Sequence, residues 1–254
     1  MTQSNDAGPG RAEATVMSVV RTADVLTYMA RSPARLSGVT DIASAVGTSK
    51  AVVFRILTSL LDRGYVGYDQ ATRRYYLGPQ ALLLGLAALE RHDLRSLAHQ
   101  PLTDISRATS ETATLSVRHG WERMYIDQVT PDRDIKMVVP IGRPFPLHAG
   151  SSSKAFLAFL PPDEQDRYFR EVRDRVPLTG RTVVDERALR KELAATRARG
   201  YAASQGERQS DAASVAAPVM DRAGLPAAVI SACGPIDRFG LCADKAVSLL
   251  LDAT

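Results

Sequence analysis

The sequence predicts a mixed α/β chain of the α+β type, with a helical N-terminal domain and a C-terminal domain built on an antiparallel sheet. Two observations support this fold class. Three segments before residue 64 repeat apolar residues at helical spacing, and a β-hairpin pattern follows them. Beyond residue 99, β-rich segments alternate with helical ones. Three helices and a hairpin in about 65 residues are the layout of a winged helix-turn-helix domain.

The length of 254 residues fits one large domain or two ordinary domains. We expect a disordered tail over residues 1–14, because this segment is polar and contains glycine and proline. The winged helix-turn-helix domain is predicted over residues 15–79. A linker helix is predicted over residues 80–98, and a second domain over residues 99–254.

The first two helices are predicted over residues 16–30 and 40–46. The first ends before Pro33, since proline disfavours a helical residue in front of it. Thr40 is the expected N-cap of the second helix, and Gly47 ends that helix.

The third helix begins after a cap at Thr48 or Ser49 and runs to about Arg63. Gly64 lies where a helix requires a left-handed residue. Residues 65–66 and 75–77 then form two short β segments, joined by a polar loop.

The C-terminal domain is predicted to alternate strands and helices, after a helical continuation over residues 102–109. The expected β segments are residues 112–117, 123–129, 135–140, 213–219 and 227–233. The expected helices are residues 154–160, 164–172, 186–199 and 241–251.

Composition and charge limit the possible functions. The net charge is +4, and residues 48–79 hold five basic side chains against two acidic ones, which favours an anionic partner. Two cysteines cannot form a disulfide framework or a full zinc site. We expect no signal peptide, no membrane span, no metal and no cofactor, and therefore a cytoplasmic protein.

The N-terminal end of the third helix is the predicted DNA-reading element, because that end of a recognition helix faces base edges. Arginine can bind guanine through two hydrogen bonds, and hydroxyls and lysine can contact phosphates or bases. The alternative is an ordinary helical hairpin with solvated arginines, but the Gly47 turn and the basic hairpin favour DNA binding. The predicted DNA-binding residues are Thr48, Ser49, Lys50, Val52 and Arg55 in the helix, and Arg73 and Arg74 in the wing.

The sequence resembles the IclR family of bacterial regulators over nearly its whole length. The resemblance lies in motifs whose order and spacing match the family. They are SKAVVFRILTSLLDRGYV at 49–66, RRYYLG at 73–78, PFPLHAGSSSKAFLAFL at 144–160, LTGRT at 178–182, RARGYAAS at 197–204, SVAAPVMDRAG at 214–224 and AVISACGP at 228–235.

This resemblance implies a GAF-like effector domain and a homodimer or dimer of dimers on a palindromic operator. It also implies repression or activation of a catabolic operon in response to a small organic acid or an aromatic metabolite. Matched position by position, the effector would contact a loop before a helix and the paired C-terminal strands. The implied effector-binding residues are Met137, Phe145, Ser151, Ser152, Ser204, Ser214, Ser231 and Cys233.

The serines of the loop precede a helix N-terminus, where free backbone N–H groups and the helix dipole favour an anion. Hydroxyl groups can donate to a carboxylate, and Lys154 would add positive charge. The alternative is that these serines only cap the helix.

Three other functions were considered. Ser151 and Lys154 have the SxxK spacing of acyl-serine enzymes, but the S-D-N and K-T-G motifs that accompany it are absent, so we expect no catalytic residues. His119, His148 and Cys233 lack metal-ligand spacing. A ligand-binding module without DNA binding is disfavoured by the basic third helix.

Overall fold

The computed structural model describes residues 15–90 and 94–254, which form two compact units divided between Arg91 and His92. The predicted tail over residues 1–14 lies outside the described residues. The boundaries proposed for the domains stay predictions, and each unit is described by itself.

The N-terminal unit has the predicted winged helix-turn-helix layout. Its helices are α1 (Met17–Arg31), α2 (Val39–Val46) and α3 (Lys50–Asp62), followed by the antiparallel strands β1 (Val66–Asp69) and β2 (Arg74–Leu77). Ser37 pairs with Tyr75 through two backbone hydrogen bonds of 2.8 and 2.9 Å, which attaches the segment before α2 to the hairpin.

A small apolar core orients the recognition helix. Val25 of α1, Ile42 of α2 and both Val53 and Leu57 of α3 are fully buried together with the start of β1. Gly47 adopts a φ of 67° between α2 and α3, a left-handed conformation that glycine tolerates. The turn places α3 at 113° to α2, so the outer face of α3 is left free.

The helix caps differ in part from the sequence prediction. Thr40 is not the N-cap of α2: Gly38 is, and its N–H donates to the Asp41 carboxylate at 3.3 Å. The prediction for α3 is confirmed at Ser49, whose hydroxyl accepts from the Val52 N–H at 3.3 Å. Glycine is accepted at an N-cap, and here the Asp41 carboxylate satisfies its N–H.

The predicted linker helix spans two observed helices. Helix α4 (Pro79–Glu90) ends the first unit and α5 (Leu94–Thr109) begins the second. The intervening residues 91–93 lie outside the described part of the chain. Four leucines of α4, at positions 82, 83, 84 and 86, are 46–64% exposed, so this helix contributes exposed apolar surface to the N-terminal unit.

The C-terminal unit contains a six-stranded antiparallel sheet in the order β5-β4-β3-β8-β7-β6. The strands are β3 (Thr112–His119), β4 (Glu122–Val129), β5 (Pro144–Pro146), β6 (Ala202–Gln205), β7 (Ala212–Met220) and β8 (Pro226–Pro235). The predicted β segment at 135–140 is wrong: it is an irregular segment in which Val139 bonds to the Gln128 side chain. The short edge strands β5 and β6 were not predicted.

The helices of this unit are α6 (Ser151–Phe159), α7 (Pro162–Glu171), α8 (Glu186–Arg199), α9 (Ile236–Phe239) and α10 (Ala243–Asp252). Helix α6 is almost entirely buried and packs on β7, β8 and α8. Its Phe156 and Leu157 join Ala216 and Val229 of the sheet in one core. The N-terminal end of α6 is thereby fixed over the middle of the sheet.

None of the described helices is by itself long and apolar enough to cross a bilayer. The consecutive helices α2 and α3 meet the length and composition criteria only when they are taken together.

Candidate functional site

The outer face of α3 presents most of the predicted DNA-binding residues to solvent. Ser49, Lys50 and Arg55 are exposed, and Thr48 and Val52 are partly buried. The sequence analysis missed Phe54, which is 56% exposed on the same helix. An aromatic side chain on this face can contact a thymine methyl group, so it belongs to the candidate interface.

The two arginines of the wing have different surroundings. Arg73 is exposed in the hairpin turn and has a φ of 55°. Arg74 donates to the Leu36 carbonyl at 3.3 Å and lies 3.6 Å from the Asp41 carboxylate. Arg73 is therefore available to a phosphate, whereas Arg74 also ties the hairpin to the start of α2.

The hairpin turn is shaped by Asp69. Its carboxylate accepts hydrogen bonds from the N–H groups of Ala71 at 2.8 Å and Thr72 at 3.4 Å. These bonds hold the pKa of Asp69 below its usual value, because they stabilise the charged carboxylate. The ionised side chain keeps the turn in one conformation and so positions Arg73.

Six of the eight predicted effector-binding residues surround one small cavity in the C-terminal unit. Strand register explains why three of them meet: Ser204, Ser214 and Cys233 lie directly opposite one another across β6, β7 and β8. Ser231 lies two residues before Cys233 on the same face of β8. Helix α6 adds Ser151 and Ser152 from above, and the enclosed volume is only about 20 Å³.

Hydrogen bonds between hydroxyl groups join the walls of this cavity. The Ser151 hydroxyl donates to the Ser214 hydroxyl at 2.7 Å, which links α6 to β7. The hydroxyls of Ser231 and Thr114 lie 2.6 Å apart, which links β8 to β3. Hydroxyls can exchange these partners for a ligand oxygen, since each can both donate and accept.

The remaining two predicted residues lie in an apolar cluster next to the cavity. Phe145 packs against Tyr125 with ring centroids 5.8 Å apart, and Met137 packs on the same cluster, which also contains Cys233. Phe145 lines a separate open groove of about 420 Å³. Cys233 itself is buried, and burial raises the pKa of its thiol to about 11.

Arg123 is the most important residue of the cavity that the sequence analysis missed. Its side chain is 1% exposed, and its Nε donates to the Ser153 hydroxyl at 3.1 Å. The guanidinium lies 4.0 Å from the Tyr125 ring centroid and 4.9 Å from that of Phe145. Among the residues that the structure describes, no carboxylate lies within the salt-bridge distance of 4.0 Å from the Arg123 guanidinium. Burial lowers the pKa of Arg123 because it removes water from the charge.

Lys154 does not supply the positive charge expected of it. It is fully buried and forms ion pairs with Glu192 and Glu207. Glu207 also accepts a hydrogen bond at 3.3 Å from the N–H of Gly150, the residue that precedes α6. A carboxylate of the protein therefore already occupies part of the predicted anion site at this helix end. The expectation that Lys154 adds positive charge for an effector is wrong, and the Gly150 N–H is not free to bind one.

The residues of the alternative functions have other partners. The Ser151 hydroxyl bonds to Ser214, and Lys154 bonds to carboxylates. His148 is buried and bonds to the Val176 carbonyl and the Tyr168 hydroxyl, whereas His119 is exposed. In the described part of the chain, no three metal-ligating side chains come together.

Two family models match the chain. The model described as the IclR helix-turn-helix domain matches residues 18–70. The model described as the bacterial transcriptional regulator IclR C-terminal domain matches residues 86–253. Together they cover both units of the structure.

Individual relatives and solved structures agree with the family models. The chain is 36% identical to the glycerol operon regulatory protein of Streptomyces griseus, over 91% of this chain and 89% of that protein. It is 30% identical to the transcriptional repressor IclR of Escherichia coli, over 88% of this chain and 81% of that protein. A solved IclR transcriptional regulator from Alicyclobacillus acidocaldarius superposes with a TM-score of 0.84 at 29% identity, covering 94% of this chain and 96% of that one.

Proposed function

Because the chain belongs to the IclR family of bacterial transcriptional regulators, we propose that it controls a catabolic operon, as repressor or activator, by binding operator DNA through α3 and the wing. A small acidic effector would bind in the cavity of the C-terminal domain. The family binds operator DNA and small-molecule effectors, so the proposal concerns which residues of this chain perform these roles.

The exposed basic face of α3 supports the DNA-binding role. Lys50 and Arg55 project from a helix whose opposite side is fixed in the core by Val53 and Leu57. Ser49 is used as the helix cap, so we expect its hydroxyl to contribute mainly to the position of α3. Lys50 and Arg55 remain as the groups that contact phosphates and base edges.

The hydroxyl groups and the buried cation support an acidic effector, such as a carboxylate. A buried charge whose partners are only hydroxyls and ring faces is unfavourable, and an anion that binds Arg123 would relieve this cost. The Tyr125 and Phe145 rings would contact the apolar part of an organic acid or of an aromatic metabolite.

A homodimer or a dimer of dimers on a palindromic operator would match the way that symmetric helix-turn-helix proteins bind two half-sites. The exposed leucines of α4 are apolar surface that a second copy would cover. The protein would act in the cytoplasm, where the operator is, and would have no catalytic activity. Light scattering of the purified chain measures the number of copies.

Fluorescence anisotropy with DNA from the promoter region next to the gene itself tests the central proposal. We expect binding that survives excess bulk competitor DNA at moderate ionic strength. Arg55→Ala should weaken this binding by about 1–3 kcal/mol and relax the base preference. Arg187→Ala, which removes an exposed arginine of α8, is the matched control and should leave binding unchanged. If Arg55→Ala and Arg187→Ala bind equally well, α3 does not read the operator.

A further inference from the structure

Arg208 is a second guanidinium at the cavity that the sequence analysis did not select. It lies between β6 and β7 and is partly buried. Its guanidinium carbon is 5.8 Å from the Tyr125 ring centroid and 5.0 Å from that of Phe145, the two rings that Arg123 also contacts. Two cations therefore share one aromatic pair.

Within the described part of the chain, neither of these two arginines forms a salt bridge, although Glu207 bonds to the N–H of Gly150 at the edge of the cavity. Arg208 forms no salt bridge with any carboxylate that the structure describes. Glu207, the adjacent acid, pairs with Lys154 instead. The other polar groups that line the cavity are hydroxyls, a phenol, a thiol and the Gln209 amide. The repulsion between the arginines also contributes to the lowered pKa of Arg123.

Arg208 and Gln209 lie between the cavity and a neighbouring groove. These two residues line both the small cavity of about 20 Å³ and the open groove of about 420 Å³ beside Phe145. The cavity is large enough for roughly one water molecule. A larger ligand requires that lining side chains move, and Arg208 contacts ring faces but forms no salt bridge with a described carboxylate.

We propose that the cavity takes a small dianion, whose two negative charges pair with Arg123 inside and Arg208 at the mouth, and that Arg208 moves away from the rings to admit it. The inference rests on the proposed function only in taking this cavity as the effector site. A short dicarboxylate and a phosphate monoester are both small dianions of this kind. Guanidinium groups bind either one through paired hydrogen bonds.

Calorimetric titration of the full chain at constant ionic strength tests this inference. The probes are succinate and malonate as dicarboxylates, methyl phosphate as a phosphate monoester, propionate as a monoanion, and malonamide as a neutral analogue. We expect one of the dianions to bind at least tenfold more tightly than propionate, and malonamide not to bind. The dianion that binds more tightly shows whether the site prefers a dicarboxylate or a phosphate monoester.

Three variants identify the groups responsible. Arg208→Gln should weaken binding of the preferred dianion by roughly tenfold. Arg123→Met should weaken it by roughly thirtyfold or more, because the anion would then be buried without its partner. Arg143→Gln is the matched control: Arg143 lies 5.7 Å from the same Phe145 ring but is exposed and lines only the open groove. We expect that variant to bind within about twofold of the wild type, since a solvated cation contributes little.

The inference is overturned if neither kind of dianion binds, if propionate or malonamide binds as tightly, or if Arg208→Gln and Arg143→Gln behave alike. Should Arg123→Met fail to fold, the comparison of Arg208→Gln with Arg143→Gln alone decides. Operator binding is measured on the same preparations. Arginine-dependent dianion binding without operator binding would refute the proposed function only, and operator binding with an arginine-independent ligand would refute the inference only.

Discussion

Two adjacent arginines of the wing show how local structure separates the roles of identical side chains. Arg73 is exposed in a turn that Asp69 fixes, and Arg74 bonds to the Leu36 carbonyl. We predict that Arg73→Ala weakens binding to operator and to random DNA by the same factor. The slope of log K against log salt should fall by about 1, because one phosphate contact is lost.

Arg74→Ala is the informative comparison for this prediction. It should also lower the stability of the N-terminal domain, since it removes the bond to Leu36 and the contact with Asp41. Anisotropy titrations at several salt concentrations measure the slopes. A loss of base preference in Arg73→Ala, with an unchanged slope, would show that Arg73 reads bases.

His148 makes the stability of the C-terminal domain depend on pH. A carbonyl only accepts hydrogen bonds, so Nε2 donates to Val176 at 3.0 Å, and Nδ1 accepts from the Tyr168 hydroxyl at 3.3 Å. Tyr168 retains its proton, because burial raises its pKa to about 12. Burial lowers the pKa of His148, because it removes water from the charged form of the ring.

The direction of the pH effect follows from proton linkage. Below the unperturbed pKa of 6.5, the unfolded chain binds a proton at His148 that the folded chain binds less readily. The free energy of unfolding should therefore fall as pH falls below about 6.5. Urea unfolding between pH 5 and 8 measures it. His148→Gln should reduce this dependence, and His119→Gln, which alters an exposed histidine, should leave it unchanged.

Glu207 stabilises the fold because it neutralises a buried lysine. Lys154 is fully buried, and Glu207 is 7% exposed. We predict that Glu207→Gln lowers the free energy of unfolding by about 3 kcal/mol, because Lys154 then depends on Glu192 alone. Glu186→Gln, which breaks an exposed pair with Arg190, should cost less than about 1 kcal/mol. Urea unfolding at pH 7 compares the two, and equal costs would contradict a structural role for the buried pair.

At the scale of elements, α3 offers the most direct mutational test of the DNA interface. Phe54 is 56% exposed, so its ring contributes little to the core. Phe54→Ala should weaken operator binding by roughly 1 kcal/mol, because the apolar contact of its ring with a base is lost, while the midpoint of thermal unfolding stays nearly unchanged. Phe54→Leu is the control that retains apolar contact. Unchanged operator affinity in Phe54→Ala would remove this residue from the interface.

The strands explain what sequence patterns predicted and what they missed. The β7 and β8 segments were predicted because long β-rich runs flank a clear turn. Arg123 lies outside the motifs from which the effector-binding residues were taken, and β4 also has a bulge: Leu115 pairs with Asp127, Ser116 pairs with Tyr125, and Ile126 is left over. The extra residue reverses the alternation of faces, which brings Tyr125 and Arg123 to the cavity side. Alternation counted along a regular strand assigns these two side chains to the opposite face.

The remaining errors also have a structural cause. The edge strands β5 and β6 have only three and four residues, which is too short to give a β pattern. Strand β5 also contains two prolines, which are tolerated at the edge of a sheet but argue against a strand in the sequence. The segment at 135–140 has β-forming residues, but the Gln128 side chain takes the hydrogen bonds that a strand would have given Val139. Lys154 was misjudged because its partners, Glu192 and Glu207, are distant in sequence.

At the scale of the whole molecule, the two-part architecture was predictable and the balance of charge was not. Helical spacing and turn glycines identified the N-terminal helices, and matched motifs identified the serines of the cavity. The ion pairs of Lys154 and the hydroxyl and ring contacts of Arg123 arise only when strands and helices assemble. The polarity of the effector site therefore depends on tertiary contacts, whereas the order of elements depends on local sequence.

Selection of fragmented genomic DNA by the purified full chain, in excess competitor nucleic acid at moderate ionic strength, tests most directly whether this protein is a sequence-specific regulator. The account predicts enrichment of a few fragments that contain an inverted repeat, and a loss of this enrichment in Arg55→Ala but not in Arg187→Ala. Uniform recovery of all fragments, with no difference between the two variants, would contradict it.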